Sequence, residues 1–288
     1  MKKAKSKNKH FYIGFVFAFL LLFILSKSDI KLFEYIDIKK NTALISTNSS
    51  SDKNQEITSE ATASEVYFLP SSTTNQLINH QTYYLSYSEK HEQAEWVAYE
   101  LTKDHLQSHN FTRPYFNQDP KVLTQSAHWS NYKNSGYTRG HLLPAGDRTF
   151  SKEAYNETFW TSNISPQSHQ FNTGIWNSLE NRVRNWARKY DKLYVVTAGV
   201  LTDDLETIGN EKVAVPDYFY KILLTQNDGA YKMIAFLLPH KGEKKPLQEY
   251  VVTTDSIEKL TGIDFFHFLD DKIENELESK IDLKGWFK

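Results

Sequence analysis

The stretch Tyr137-Thr-Arg-Gly-His-Leu-Leu-Pro-Ala-Gly-Asp147 is the least ordinary in the chain. His141 follows Arg-Gly and precedes a Pro-Ala-Gly turn. That is poor material for a strand or helix, so a requirement other than regular structure selects it. Taken alone, a histidine is more often a satisfied core or surface group than a catalyst. A second stretch, Thr161-Ser-Asn-Ile-Ser-Pro-Gln167, leads into Phe171-Asn-Thr-Gly-Ile-Trp-Asn-Ser-Leu-Glu180.

Working outward, Ile175, Leu179, Val183, Trp186 and Tyr190 recur every three or four residues, which predicts an amphipathic helix between Gly174 and Tyr190. Asn172 falls where it begins, and its bland reading is an N-cap. Asn172, Trp176, Glu180 and Arg184 are spaced by four, so they follow one row of the helix and can face one cleft. Glu180 and Arg184 could equally form an ordinary surface ion pair, a contact worth little. Thr82 to Ser86, Glu95 to Leu101, Leu193 to Val200, Tyr218 to Thr225 and Tyr231 to Leu238 are rich in β-branched and aromatic residues. Turn signals such as Asn227-Asp228-Gly229 break them, as in antiparallel hairpins. A second helix is expected from about Phe266 to Ser279. Strands and helices are segregated rather than alternating, which points to an α+β fold. No internal repeat is visible.

The front of the chain is different. Five lysines precede an unbroken apolar run, Phe11 to Leu25, followed by Ser26-Lys27-Ser28. This is the pattern of a secretory signal or an N-terminal membrane anchor, here a hydrophobic helix. No clean Ala-x-Ala site follows, which favours the uncleaved anchor; the flanking lysines argue against a buried core helix. Residues 46–64 carry almost no large apolar side chains and read as linker. The expected organisation is therefore anchor or signal at 1–28, polar linker at 29–64 and one globular domain at 65–288. The positive-inside rule places that domain outside the cytoplasm, membrane-anchored or secreted.

The chain has no cysteine, which excludes disulfides, thiolate nucleophiles and Cys-ligated zinc, so any metal must sit on oxygen or imidazole. Formal net charge is −1, but the first 28 residues hold six lysines and no acid, leaving the rest at −7. A body of that sign cannot attract nucleic acid through its overall field; its cations would have to be grouped around a cleft.

The two stretches together resemble the DNA/RNA non-specific endonucleases, the ββα-metal nucleases to which mitochondrial endonuclease G belongs. Arg139-Gly140-His141, Ser162-Asn163-Ile164-Ser165-Pro166-Gln167, Asn172-Thr173-Gly174-Ile175-Trp176 and Leu179-Glu180 match the family pattern in order. Weaker similarity runs from about Ala94, in Trp96-Val97-Ala98-Tyr99, through Thr112-Arg113 to Thr261-Gly262. The resemblance implies a ββα-metal fold with a central antiparallel sheet and packed helices, and hydrolysis of DNA and RNA. It implies His141 as general base and Asn172 as the one direct protein ligand of a hydrated magnesium ion, with manganese or another divalent cation as substitute. Glu180 would orient the waters around the ion, Arg113, Arg139 and Arg184 would contact phosphate, and Asn163 would support His141 or the cleft. One departure is visible: Thr138 stands where the family usually has Asp before Arg-Gly-His, which puts acid-mediated anchoring of that loop in doubt.

The chemistry is coherent on physical grounds. Phosphodiester hydrolysis needs an activated water, a Lewis acid, and cations for the extra negative charge of the transition state. Imidazole takes a proton near neutrality, and a single neutral amide ligand suits magnesium's reluctance to dehydrate. Arginines grip phosphate and read no base. The alternative is a catalytically inactive, membrane-tethered nucleic-acid-binding relative. A metalloprotease is disfavoured, since His-Glu-x-x-His is absent and the ten histidines show no paired ligand spacing. The sequence leaves open the biological role, the oligomeric state (a homodimer included) and any inhibitor protein.

Overall fold

The structure, a computed structural model, describes residues 68–287 apart from 228, 243 and 244. The expected anchor, the linker and the N-terminal hydrophobic helix lie outside the described residues. Among the described residues no helix is long and apolar enough to cross a membrane.

In chain order the strands are β1 Leu77–Asn79, β2 Tyr84–Ser88, β3 Gln93–Thr102, β4 Tyr137–His141, β5 Ile164–Ser168, β6 Lys192–Gly199, β7 Thr207–Ile208, β8 Val213–Ala214, β9 Tyr218–Asn227, β10 Ala230–Pro239 and β11 Val251–Val252. The α-helices that matter below are α1 Lys152–Glu157, α2 Asn177–Tyr190, α3 Thr254–Thr261 and α4 Asp271–Glu278. Seven strands form one antiparallel sheet in the order β1-β2-β3-β6-β9-β10-β11. Two small pairs, β4-β5 and β7-β8, stand apart from it. The β9-β10 hairpin closes by pairing Asn227 with Ala230, with Gly229 at φ +79°, the left-handed geometry that a tight hairpin turn demands.

Helix α2 lies on this sheet through Leu179, Val183, Trp186, Ala187 and Tyr190, all buried. Leu179 and Val183, almost wholly removed from water, each stabilise the fold by roughly 1.5–3 kcal/mol. Trp186 stacks on Phe236 of β10, and its indole N–H donates to the Trp286 carbonyl at 2.7 Å. A second, smaller core of Phe116, Ala127, Tyr132, Phe159, Ile164, Ile208, Val213 and Val215 lies apart from this one and supports β5 and the β7-β8 pair.

The five expected long strands are present, displaced by no more than two residues at either end. Three expectations need correction. The Arg-Gly-His stretch is regular after all: it is β4, paired with β5 so that Arg139 faces Pro166 and His141 faces Ile164. Gly140 is glycine because a Cβ there would run into the Gln167 side chain, a close approach rather than a break. The second helix is shorter than 266–279, starting at Asp271, because Asp270 caps it and Phe266 has φ +57°. Helix α3 was missed, although Thr253 at its N-cap and left-handed Gly262 at its end are standard start and stop signals.

Candidate active site

The helix that carries Asn172 does not begin there. A single helical turn, His169–Phe171, is capped by Ser168, whose hydroxyl accepts from Phe171 N at 3.3 Å. The chain then widens into a π-type turn, Asn172–Trp176, broken at Gly174 (φ −99°, ψ −109°), before α2 starts. Asn172 is therefore not an N-cap. Inserted turns of this kind occur frequently at functional sites. His240 braces the start of the segment: Ser168 N donates to its Nε2 at 2.7 Å, so Nδ1 carries the proton it gives to the Pro216 carbonyl at 2.8 Å.

Asn172 Nδ2 donates to Thr138 Oγ1 at 3.0 Å, and Thr138 Oγ1 donates to the Gln167 carbonyl at 2.7 Å. Because the single hydroxyl proton is committed to Gln167, the threonine can only accept from Asn172. This fixes the amide orientation and leaves Oδ1 as the end able to meet a cation. Thr138 thus supplies an acceptor for Asn172 where the family pattern has a carboxylate.

Along β4, Arg139 and His141 alternate with Thr138 and Gly140, so they share the opposite face of the ribbon. Phe116 is the platform there. The Arg139 guanidinium lies 4.9 Å from its ring centre, that of Arg113 5.4 Å, and the His141 ring 5.6 Å. Phe159 closes the floor, edge-on to His141 at 4.9 Å and 5.3 Å beneath Arg113. Arg113 and Arg139 remain exposed, whereas the His141 Nε2 atom is buried with no hydrogen-bond partner. Burial, and secondarily the charge of Arg113, hold the His141 imidazole down at about 3, so it is neutral at any physiological pH.

Asn163 is fully buried and does not reach the cleft surface. Its Oδ1 accepts from Leu143 N at 2.9 Å, and its Nδ2 donates to the carbonyls of Leu143 (3.0 Å) and Thr158 (2.9 Å). It holds the turn directly after His141. Buried Asp119 secures the Thr161–Asn163 turn that carries Asn163, accepting from Ser162 Oγ at 2.5 Å and pairing with His80 at 2.8 Å.

The third group lies along α2. Arg184 Nη1 donates to buried Asp147 Oδ1 at 2.8 Å, and Nη2 donates to Asn181 at 3.0 Å. Among the described residues the ion pair of Arg184 is with Asp147, not with Glu180. Trp176 leaves the expected row: it is fully buried and stacks on Phe171 at 5.5 Å, so it lines the core and not the cleft. Glu180 is half-buried, and burial raises its carboxyl, with Lys221 opposing and Asp147 reinforcing the shift. Lys221 was not anticipated. It is fully buried in β9, 3.0 Å from Thr197 Oγ1 and 4.7 Å from the Trp176 ring centre, and burial lowers its ammonium. A lysine inside the apolar strand Tyr218–Asn227 was the available signal. Phe116 and Phe159 had no comparable signal.

The structure therefore gathers Arg113, Arg139 and His141 on one aromatic floor, ties Asn172 to β4 through Thr138, and sets Glu180 and Arg184 along α2 with Asp147 and Lys221. Asn163 lies behind the first group.

Residues 61–272 match the profile of the DNA/RNA non-specific endonuclease family. The chain is 37% identical over 199 residues to mitochondrial nuclease EXOG of Danio rerio, covering 63% of this chain and 58% of that protein. It is 33% identical over 219 residues to nuclease C1 of Cunninghamella echinulata var. echinulata, covering 69% and 85%. Against human mitochondrial endonuclease G it is 31% identical over 205 residues, covering 66% and 69%. The match thus spans about three fifths of the length of the EXOG relatives. A solved structure of EndoG in complex with EndoGI superposes with a TM-score of 0.68 at 28% identity, covering 76% of this chain and 96% of that one. The large antiparallel sheet is that of EndoG, and this chain belongs to the DNA/RNA non-specific endonuclease family, whose members are phosphodiester hydrolases.

Proposed function

We propose that the chain is a metal-dependent, sugar-non-specific endonuclease that hydrolyses phosphodiester bonds in DNA and RNA. The observation that carries this reading is the His141 Nε2 atom, buried, partnerless and neutral, beside two arginines held on one phenylalanine. A phosphate drawn to Arg113 would offset the smaller, electrostatic part of what lowers the proton affinity of His141, while burial, the larger part, keeps the imidazole a neutral acceptor. His141 would then take a proton from water as its oxygen attacks phosphorus and the bond to the leaving oxygen breaks. Arg184, with donors left over after Asp147 and Asn181, would add to the charge on the phosphate side, while Asn163 keeps the His141 turn in place.

The donor set fits a hard divalent cation, magnesium or manganese. Asn172 presents an amide oxygen whose other end is already committed, and Glu180 is a raised carboxyl whose ionisation a cation would favour. When bound, such an ion would supply Lewis acidity at the phosphoryl and leaving oxygens. The contacts proposed are to phosphate, which carries no sequence information, in keeping with non-specific cleavage.

The test is digestion of supercoiled DNA and of RNA, with and without chelator, by the parent and by His141→Ala. General-base removal should slow cleavage about 100- to 10,000-fold with nucleic-acid binding retained. Parental rates in the variant would sink the assignment. An inactive parent would favour a tethered nucleic-acid-binding relative. We place the domain outside the cytoplasm on the strength of the lysine-flanked apolar run 11–25. External protease on spheroplasts should remove it, and complete protection would refute that topology.

A further inference from the structure

Helices α3 and α4 bring three carboxylates together. Asp255 and Glu258 are three residues apart on one face of α3, and Glu278 is the last residue of α4; one oxygen from each lies within 4.8 Å of the others. Glu278 is 5% exposed, and its Oε1 is buried with no hydrogen-bond partner. Glu258 Oε1 accepts from Phe265 N at 3.0 Å, and Asp255 is exposed to solvent. Among the described residues no Lys, Arg or His is paired with any of the three. Asp264 and Glu274 add negative charge from the sides.

Every local term opposes an anion at Glu278. It sits at a helix C-terminus, where the macrodipole disfavours negative charge. It follows Glu274 by four residues, a like-charge helical pair. It is buried against two further carboxylates, where an uncompensated charge is costly. Three oxygens that all lie within 4.8 Å of one another are close enough to share one hard cation, which calcium holds at about 2.3–2.6 Å per ligand. All-oxygen donors suit hard cations, and three protein carboxylates on one ion favour calcium over magnesium, which is usually held by one or two and keeps its waters. We propose that Asp255, Glu258 and Glu278 form a calcium site that fastens α4 to α3, separate from and independent of the proposed active site.

The site is tested on the full chain stripped with chelator, by thermal unfolding against added calcium in the parent, in Asn172→Ala, in Glu278→Gln and in Asp255→Asn. Calcium at ten times its dissociation constant should raise the Tm by about 3–5 °C for a domain of this size. The same rise should appear in Asn172→Ala, because that residue belongs to the other group. Glu278→Gln should unfold at a higher temperature than the parent without calcium, since it removes the buried repulsion, and should lose the calcium increment. Asp255→Asn, at an exposed position that threatens folding least, should lose the increment while cleaving normally in magnesium. An increment that survives both substitutions overturns the site. So does the absence of any increment at about 10 mM calcium, ten times the weakest dissociation constants common for such sites, ~10⁻³ M; protons rather than a cation would then neutralise the cluster.

Discussion

Replacing Thr138 with valine tests the amide orientation on which the proposed cation site depends. The two side chains share a shape, but valine lacks the hydroxyl that donates to the Gln167 carbonyl at 2.7 Å and accepts from Asn172 Nδ2 at 3.0 Å. Two hydrogen bonds are lost, each with a net worth of about 0.5–1.5 kcal/mol, so stability should fall by about 1–3 kcal/mol. For a domain of this size that is a decrease of roughly 2–4 °C in Tm per kcal/mol. The larger effect is on the cation, since Asn172 is then free to turn its NH₂ toward the ion; losing a group that orients a ligand commonly weakens metal affinity about 10- to 100-fold. Thr138→Ser should behave as the parent. Thr138→Asp can accept from Asn172 but cannot donate to Gln167, so it should keep cation affinity while losing stability. The assay is plasmid cleavage titrated with magnesium, paired with thermal unfolding. If the Thr138→Val titration overlays the parent although unfolding shows the lost bonds, Asn172 does not bind the cation through Oδ1.

Because burial raises the Glu180 carboxyl, a proton competes with the cation above the ordinary carboxylate range. Magnesium affinity should therefore weaken as pH falls through that raised value, and Glu180→Gln should flatten this dependence in titrations between about pH 5 and 8. Phe116→Leu keeps apolar bulk but removes the ring beneath two guanidinium groups, interactions worth about 0.5–1 kcal/mol each, so KM should rise roughly 5- to 30-fold with a smaller change in kcat. An unchanged KM would show that the ring does not hold the arginines for phosphate. Asp147→Ala removes the partner of Arg184 and the acceptor of the Tyr99 hydroxyl at 3.2 Å. It should cost about 3 kcal/mol in chemical denaturation, at the low end for a broken buried pair because Arg184 keeps 17% exposure. A change within the error of the parent would mean that water replaces the carboxylate.

The long strands were legible because each is a local pattern: β9 and β10 are apolar runs joined by a turn that only a few residues can make. The face of α2 was legible for the same reason, with Leu179, Val183, Trp186 and Tyr190 repeating at helical spacing. Strand β4 was not, because its glycine answers to Gln167, 27 residues away in sequence, and no window around Gly140 contains that constraint. Asn172 was misplaced as a possible cap for a related reason. Periodicity marks where a helix becomes regular, at Asn177, and is blind to the capped turn and widened turn that precede it.

Charges out of place in the pattern are the more instructive failures. Lys221 contradicts the strand it occupies, and a local choice that conflicts with its surroundings is where a functional constraint is expected. Its position could have been flagged from sequence; its neighbours Trp176 and Thr197 could not, because sheet order alone brings β6 and β9 side by side beneath α2. Glu278 gives no such warning. In Asp-Lys-Ile-Glu-Asn-Glu-Leu-Glu it reads as one more acid on a solvated helix, and only the packing of α3 against α4 buries it among Asp255 and Glu258. The same residue type at the same helical spacing is thus a surface charge or a buried ligand according to what lies across from it. Burial without a partner, and not the acidic composition, is what singles the position out.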